Sequence, residues 1–481
     1  MNLQVKDRPT TNFIAYSSTG AITLCALYVL VFARVKLFIY GSYDTAYYLQ
    51  AFWRLAQFQL PTSTLNEFFP TTNPINIFMG HHFQYSALLF APIFRLVPSP
   101  LIAGLFIVPG VTVVLTVLVW HKTFPKRSDL IPGILGLSLL FWSLYSGIFS
   151  SEFYLDKFVL PWVVASLYFF REKKAGWLIV SLIVVTGFKE YFALFSALAC
   201  FVYWYKYRSR ITLLACVIFL LYLPIVMIWI MPNFFDGDSL LFYHFGGNQG
   251  LTIVERAWYV FKNILFRWDS FLYLLLVFAQ FLFLPLLSPE YALLSLPILA
   301  INLFSGTITK PYYAALPNTV LSVAFVYGLL YLRNRIHQRT KQQFLMGVIT
   351  AVLIFTLFYS SILNILYRIK IDTQAFLSRP GYTVQLEKIL AQMQKTDFVA
   401  VSPKLAPYVV QNQAFIFPKP FNQFDLADRV NKIIIAKHHP SYLDNFNGRE
   451  VQFNETMSEL INNYHFVRKM DTTDIIYLEK P

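Results

Sequence analysis

LIAGLFIVPGVTVVLTVLVW, residues 101–120, carries no charged side chain. At about 1.5 Å of rise per residue such a run makes a helix of roughly 30 Å, the depth of a bilayer's hydrocarbon core. The stretch therefore reads as a membrane span. Working outward, the pattern recurs upstream at Phe13–Val35. Downstream it recurs at Leu130–Phe149, Phe158–Phe170, Gly176–Gly187, Tyr191–Tyr205 and Ile211–Met231, then at Phe271–Leu287, Tyr291–Phe304, Tyr313–Leu332 and Phe344–Tyr367. Ser86–Val97 is apolar too, but it is too short to cross and ends in Pro98-Ser99-Pro100. Eleven spans are expected. The first apolar run lacks a small-residue cleavage site, so it reads as a retained helix and not as a removed signal peptide.

Composition agrees. The 481 residues are 57% apolar and 13% charged, where soluble domains average about 25% charged. One soluble core stops growing near 250–300 residues and could not hide this much apolar surface. Aromatic residues make up 18% of the chain, which suits belts of rings at two membrane interfaces. The net charge of +14 would otherwise raise the question of nucleic acid. No basic face is continuous enough to follow a phosphate backbone, so no nucleic-acid partner is expected. Cys25, Cys200 and Cys216 all lie in apolar runs without metal or disulfide spacing.

The basic residues cluster between spans: Lys122, Lys126 and Arg127; Arg171 to Lys174; Lys206 to Arg210; Arg333 to Lys341. Positive loops stay in the cytoplasm. Putting all four clusters there makes the loops alternate correctly, with the N-terminus inside and the C-terminus outside; only Arg34 and Lys36 point the other way. The membrane part is then residues 1–370, with an external loop at 40–97 carrying amphipathic helices. Residues 371–481 change character. Short apolar runs at Phe398–Val401, Lys432–Ala436 and Asp474–Leu478 alternate with helix-like stretches at Val384–Met393 and Asn454–Tyr464. A small external α/β domain is expected there. The fold class is thus an α-helical polytopic membrane bundle with a small C-terminal α/β soluble domain.

Charge near membrane depth is costly and marks candidate function. Asp44 follows the first span, and Tyr47, Tyr48, Phe52 and Trp53 after it suggest an amphipathic helix on the membrane surface. Its position equally suits an N-cap. Glu152 and Asp156 stand four apart, a spacing that shares one helix face and fits acid–base work, cation binding or a solvated loop. Lys189-Glu190 interrupts two apolar runs, either as a hairpin ion pair or as a lysine for a phosphate, to which Lys310 and Arg256 would add. His81-His82 lacks a spaced partner, so a hydrogen-bonding histidine is expected in place of a metal site. No phosphate-cradling glycine loop, nucleophile elbow or His-Glu-x-x-His run is present.

Asp44, Gln50 and Trp53 resemble a pattern, Asp-Leu-Gly-Ile-x-Asp-Gln-x-x-Trp, of a bacterial family of "predicted membrane proteins" catalogued as a domain of unknown function. That family is related to the GT-C glycosyltransferase superfamily, with its protein mannosyltransferases and aminoarabinose transferases. The likeness continues at Gly80-His81-His82-Phe83, at Ala91–Pro100, at Asp156–Pro161 and at Lys189-Glu190-Tyr191. The second acid of the pattern is Leu49 here. The resemblance implies a polytopic inner-membrane enzyme that transfers a sugar, with inversion, from a polyprenyl-phosphate-linked donor to an extracytoplasmic acceptor (a lipid, glycan or protein). It implies Asp44 as the catalytic carboxylate, Glu152 or Asp156 standing in for the missing acid, and Lys189 at the lipid phosphate. Gln50, Trp53, His82, Glu190, Lys310 and Arg256 are the remaining candidate substrate contacts, among membrane lipids. A divalent cation is the one cofactor such acids could use. The rival classes are a lipid-linked-sugar transporter, which would show broken or charged helices at the midplane, and a non-catalytic scaffold.

Overall fold

A helix needs no partner for its backbone groups, so apolar sequence in lipid resolves into helices. The computed structural model describes residues 10–234 except 42, 66–74 and 146–152; residues 268–417 except 305–314, 337 and 358–362; residues 428–437 and 450–481; and Glu255 and Trp258. Four described helices are long and apolar enough to cross a membrane: α1 (Thr10–Lys36), α3 (Pro100–Thr123), α8 (Arg210–Asn233) and α11 (Ala315–Arg335). Between α1 and α3 lies the shorter α2 (Tyr43–Ala56). The remaining bundle helices are α4 (Leu130–Tyr145), α5 (Leu160–Arg171), α6 (Ala175–Thr186), α7 (Phe192–Tyr207), α9 (Trp268–Ala279), α10 (Pro289–Phe304), α12 (Arg339–Leu357) and α13 (Leu363–Ser378).

Helix α11 is the most enclosed of the long four and packs against α4, α5 and α10. Gly136 on α4 permits that approach, because a Cβ there would come within 2.3 Å of Val326 on α11. Small residues serve this purpose in membrane bundles, where contact and not hydrophobic burial drives association. The expected span Phe271–Leu287 is interrupted: α9 stops at Ala279, and Leu282 and Phe283 turn the chain at positive φ before a 3₁₀ turn at Leu284–Leu287. Ser86–Val97 is a 3₁₀ turn and a six-residue helix, too short to cross.

The polar ends of the bundle are knit separately. On one face Asn12 donates to the Lys126 carbonyl (2.7 Å), Arg171 to that of Thr123 (3.0 Å), and Arg333 to that of Ser128. The opposite face receives the C-terminal segment. There Tyr408 donates to the Val35 carbonyl (3.1 Å), Tyr382 to that of Leu37 (3.2 Å) and Lys404 to that of Gly41 (2.9 Å). Arg34, whose charge sits oddly beside the first span, pairs with Asp372 at 2.7 Å.

The C-terminal segment holds a five-stranded sheet of order β4-β3-β5-β7-β6, an outlying hairpin β1 (Thr62–Ser63) and β2 (Ile75–Asn76) being numbered first. Strands β3 (Phe398–Val401), β4 (Gln413–Ile416) and β5 (Lys432–Ala436) run parallel. Strand β7 (Ile475–Glu479) is antiparallel to β5 and to β6 (Val467–Asp471). Successive side chains face opposite ways. Val399, Val401, Ile434 and Tyr477 join the core shared with the bundle, where α14 (Gly381–Ala391) packs. Ala400, Phe415, Ile433 and Ile476 instead meet Phe453, Met457 and Leu460 of α15 (Glu450–Asn462).

Helix α2 does not lie open on a membrane surface. Every residue from Thr45 to Phe52 is buried, between the bundle and the C-terminal segment. It is amphipathic in sequence, with Asp44 and Arg54 at its ends, yet even the polar Gln50 is buried.

Candidate active site at the tail-facing end of the bundle

Five charged or titratable side chains close together at this end of the bundle are almost wholly buried: His82, Asp156, Lys157, Lys189 and Glu190, none more than 6% exposed. Burying a lone ion costs several kcal/mol, so such groups persist only when paired. The Lys189 ammonium donates to Asp156 Oδ2 at 2.7 Å. Glu190 holds His82 Nδ1 at 3.2 Å and accepts the Phe83 N–H at 3.4 Å. Adjacent in sequence, Lys189 and Glu190 thus reach different partners. Burial acts to raise the Glu190 pKa, but His82 and Lys189 outweigh it and leave the carboxyl below its ordinary value.

Local structure explains the convergence. Gly187 ends α6 where a side chain would strike Ser86, so the α6–α7 turn can press against residues 84–86. The Ser86 N–H donates to the Gly187 carbonyl (2.9 Å), and the Gln84 amide donates to that of Phe188 (2.9 Å). Asp156 and Lys157 lie in a 3₁₀ turn, Leu155–Val159, that opens α5. The preceding Phe153 N–H donates to Thr45 Oγ1 of α2 at 2.9 Å, which draws α2 over the cluster.

Asp44 sits half-buried in the first turn of α2, which begins at Tyr43, so it is inside the helix and not its cap. Its Oδ2 accepts the Tyr154 hydroxyl at 2.5 Å, and the Lys157 ammonium stands 5.1 Å from the centre of the Tyr154 ring. Tyr48 is buried between the two acids. Burial first, then Asp156 and Asp44, push its phenol well above the ordinary value, so it stays neutral. Asp156 Oδ1 has no hydrogen-bond partner among the described residues. Chemically this is a half-buried carboxylate close to two buried ammonium groups, one of them paired with Asp156.

The structure brings Asp44, Asp156, Lys189, Glu190 and His82 to one end of the bundle. Gln50 is occupied elsewhere: it donates to the Asn412 carbonyl at 3.0 Å and accepts from Ser63 at 2.7 Å. Trp53 lies under Lys395, 5.6 Å from the ring centre. Both tie α2 to the tail. Glu152, Arg256 and Lys310 lie outside the described residues. Among the described residues no cluster of three His, Cys, Asp or Glu could hold a metal. Tyr48, Tyr154 and Lys157 had gone unassigned; the signal was a charged pair, Asp156-Lys157, opening an apolar run.

The family model described as "Predicted membrane protein (DUF2079)" matches residues 34–475. The chain belongs to that family. Its match runs from the end of α1 to the start of β7, so this DUF2079 membrane protein carries the buried cluster and all but the last strand of the C-terminal sheet within the family's bounds. No curated protein matches the chain.

Proposed function

We propose that this protein is a glycosyltransferase that moves a sugar from a polyprenyl-phosphate donor to an acceptor outside the cytoplasm. In this reading the bundle crosses a bacterial inner membrane eleven times, with the basic face in the cytoplasm and the C-terminal sheet outside. The observation that carries it is Asp44, half-buried and hydrogen-bonded to Tyr154, whose ring also meets the buried Lys157, at the end of the bundle where Lys189 pairs with Asp156. Asp44 takes the proton of the acceptor hydroxyl as its oxygen attacks the anomeric carbon. The bond from that carbon to the phosphate oxygen breaks with inversion, and the electron pair leaves on the lipid phosphate. That anion needs no proton, and the two lysines lower the cost of its charge. Asp156 holds Lys189 in place, and Glu190 holds His82. The tail, docked on α2, is positioned to present the acceptor.

The test is mass spectrometry of membrane lipids and surface glycans from a deletion strain and from its Asp44→Asn complement. One polyprenyl-phosphate sugar should accumulate in both, with loss of that sugar from one glycan. Asparagine keeps the acceptor for Tyr154, so the fold should survive. A complement that restores the wild-type glycan would sink the assignment.

A further inference from the structure

The opposite, basic face holds a groove that the proposed chemistry does not use. It has a volume of about 750 Å³ and runs between the start of α4 and the first half of α12. Its two ends differ. Arg127, Arg333, Gln342 and Gln343 form the rim at the helix ends, and no acidic residue lines it among the described residues. Asp129, the nearby acid, is buried, and its carboxylate accepts from Ser128 at 3.0 Å. Arg333 donates to the Ser128 carbonyl, while the Arg127 side chain is exposed and has no partner among the described residues. Beyond the rim the lining turns mostly apolar, with Ile131, Met346 and Ala351 beside a single hydroxyl at Thr350. From Gln343 to Ala351 the groove follows α12 for roughly 12 Å, at 1.5 Å per residue. Gly347 leaves the floor open, since a Cβ there would meet nothing within 4 Å.

We infer that this groove is a binding site for one anionic phospholipid, its phosphate at Arg127 and Arg333 and an acyl chain along α12. Charge and depth fit together: guanidinium groups hold phosphate oxygens in pairs, and the apolar half lies where a chain from that phosphate must run. Basic pockets between helices at the cytoplasmic side take lipid headgroups in this way. A second cavity on this face, about 530 Å³, does not compete. Its Lys206 is paired with Glu290, and its Arg171 is engaged by Tyr327. The inference is independent of the glycosyltransferase reading.

The test is native mass spectrometry of the full chain in a neutral detergent, titrated with phosphatidylglycerol, with phosphatidylcholine and with a polyprenyl monophosphate. The parent chain should hold one phosphatidylglycerol and at least tenfold less phosphatidylcholine. Gly347→Leu extends a side chain from a point where a Cβ meets nothing within 4 Å and should weaken phosphatidylglycerol tenfold or more, while Gly347→Ala should not. Arg127→Ala should weaken it similarly, which keeps the test alive if the leucine variant melts early. Equal binding of the zwitterionic lipid, or variants that bind as the parent does, would overturn the site. A tenfold preference for the polyprenyl monophosphate would overturn the phospholipid as its occupant.

Discussion

Lys189 and Asp156 meet although 33 residues of chain separate them, and each makes the other tolerable in an apolar interior. Removing one partner leaves the other charge buried without compensation, which costs about 3–5 kcal/mol, whereas replacing both with apolar groups is often nearly neutral. Lys189→Met alone should therefore lower the unfolding midpoint sharply in detergent, and the double variant Asp156→Leu/Lys189→Met should recover most of it. If the two lysines serve the lipid phosphate, the recovered double variant stays inactive. A single variant as stable as the parent would show that the pair is not what holds this turn. Tyr154→Phe removes one hydrogen bond to Asp44 and leaves the carboxylate, so activity should fall but persist. The glycan assay used for Asp44→Asn would register it.

At the scale of elements, the sheet depends on a buried ion. Lys432 opens β5, is only 8% exposed, and bonds Asp397 at 2.6 Å, with Glu479 of β7 at 3.6 Å. Burial alone would raise the Asp397 pKa, but hydrogen bonds from Lys432, the Gln394 N–H and Asn431 hold it below the ordinary range. A depressed carboxyl stabilises fully above its unfolded pKa, about 3.9, and loses that contribution as pH falls through the lower folded value. Protease resistance of the tail should thus be flat from pH 7 to 5 and drop below about pH 4. Asp397→Ala should cost about 2–3 kcal/mol at neutral pH, since Glu479 compensates only in part; an unchanged tail would refute this. The strands of this sheet were readable where alternation or an apolar run announced them, as at Phe398–Val401 and Lys432–Ala436. Strand β6, Val467–Asp471, was not: it is mostly exposed and carries Arg468, Lys469 and Asp471, so it has no burial pattern to read. Helix α2 was misread for a related reason, because aromatic spacing looks the same whether lipid or a folded tail covers it. The site divided likewise: Asp44, Asp156 and Lys189 stood out as charges beside apolar runs, whereas the ties of Gln50 and Trp53 to the tail depend on contacts across more than 300 residues.

The whole molecule has two polar faces that share few features. One gathers Lys122, Lys126, Arg127, Arg171 and Arg333 around the ends of α3, α5 and α11; the other gathers the buried cluster, α2 and the sheet. Sidedness therefore reduces to one choice, and the proposed orientation follows the positive-inside rule in assigning the basic face to the cytoplasm. Arg34 no longer argues against that choice, because Asp372 neutralises it within the fold and it need not face cytoplasmic solvent. The consequence can be checked with single cysteines in a background where Cys25, the exposed native thiol, is alanine. Thr473→Cys, in the turn between β6 and β7, should react with an impermeant maleimide in intact spheroplasts, and Lys174→Cys, between α5 and α6, only after lysis. Because both faces belong to one packed bundle, the two labels must report opposite sides. Labelling of Lys174→Cys alone would invert the protein and put Asp44 in the cytoplasm, where a polyprenyl-linked donor destined for an outside acceptor has no reason to be used.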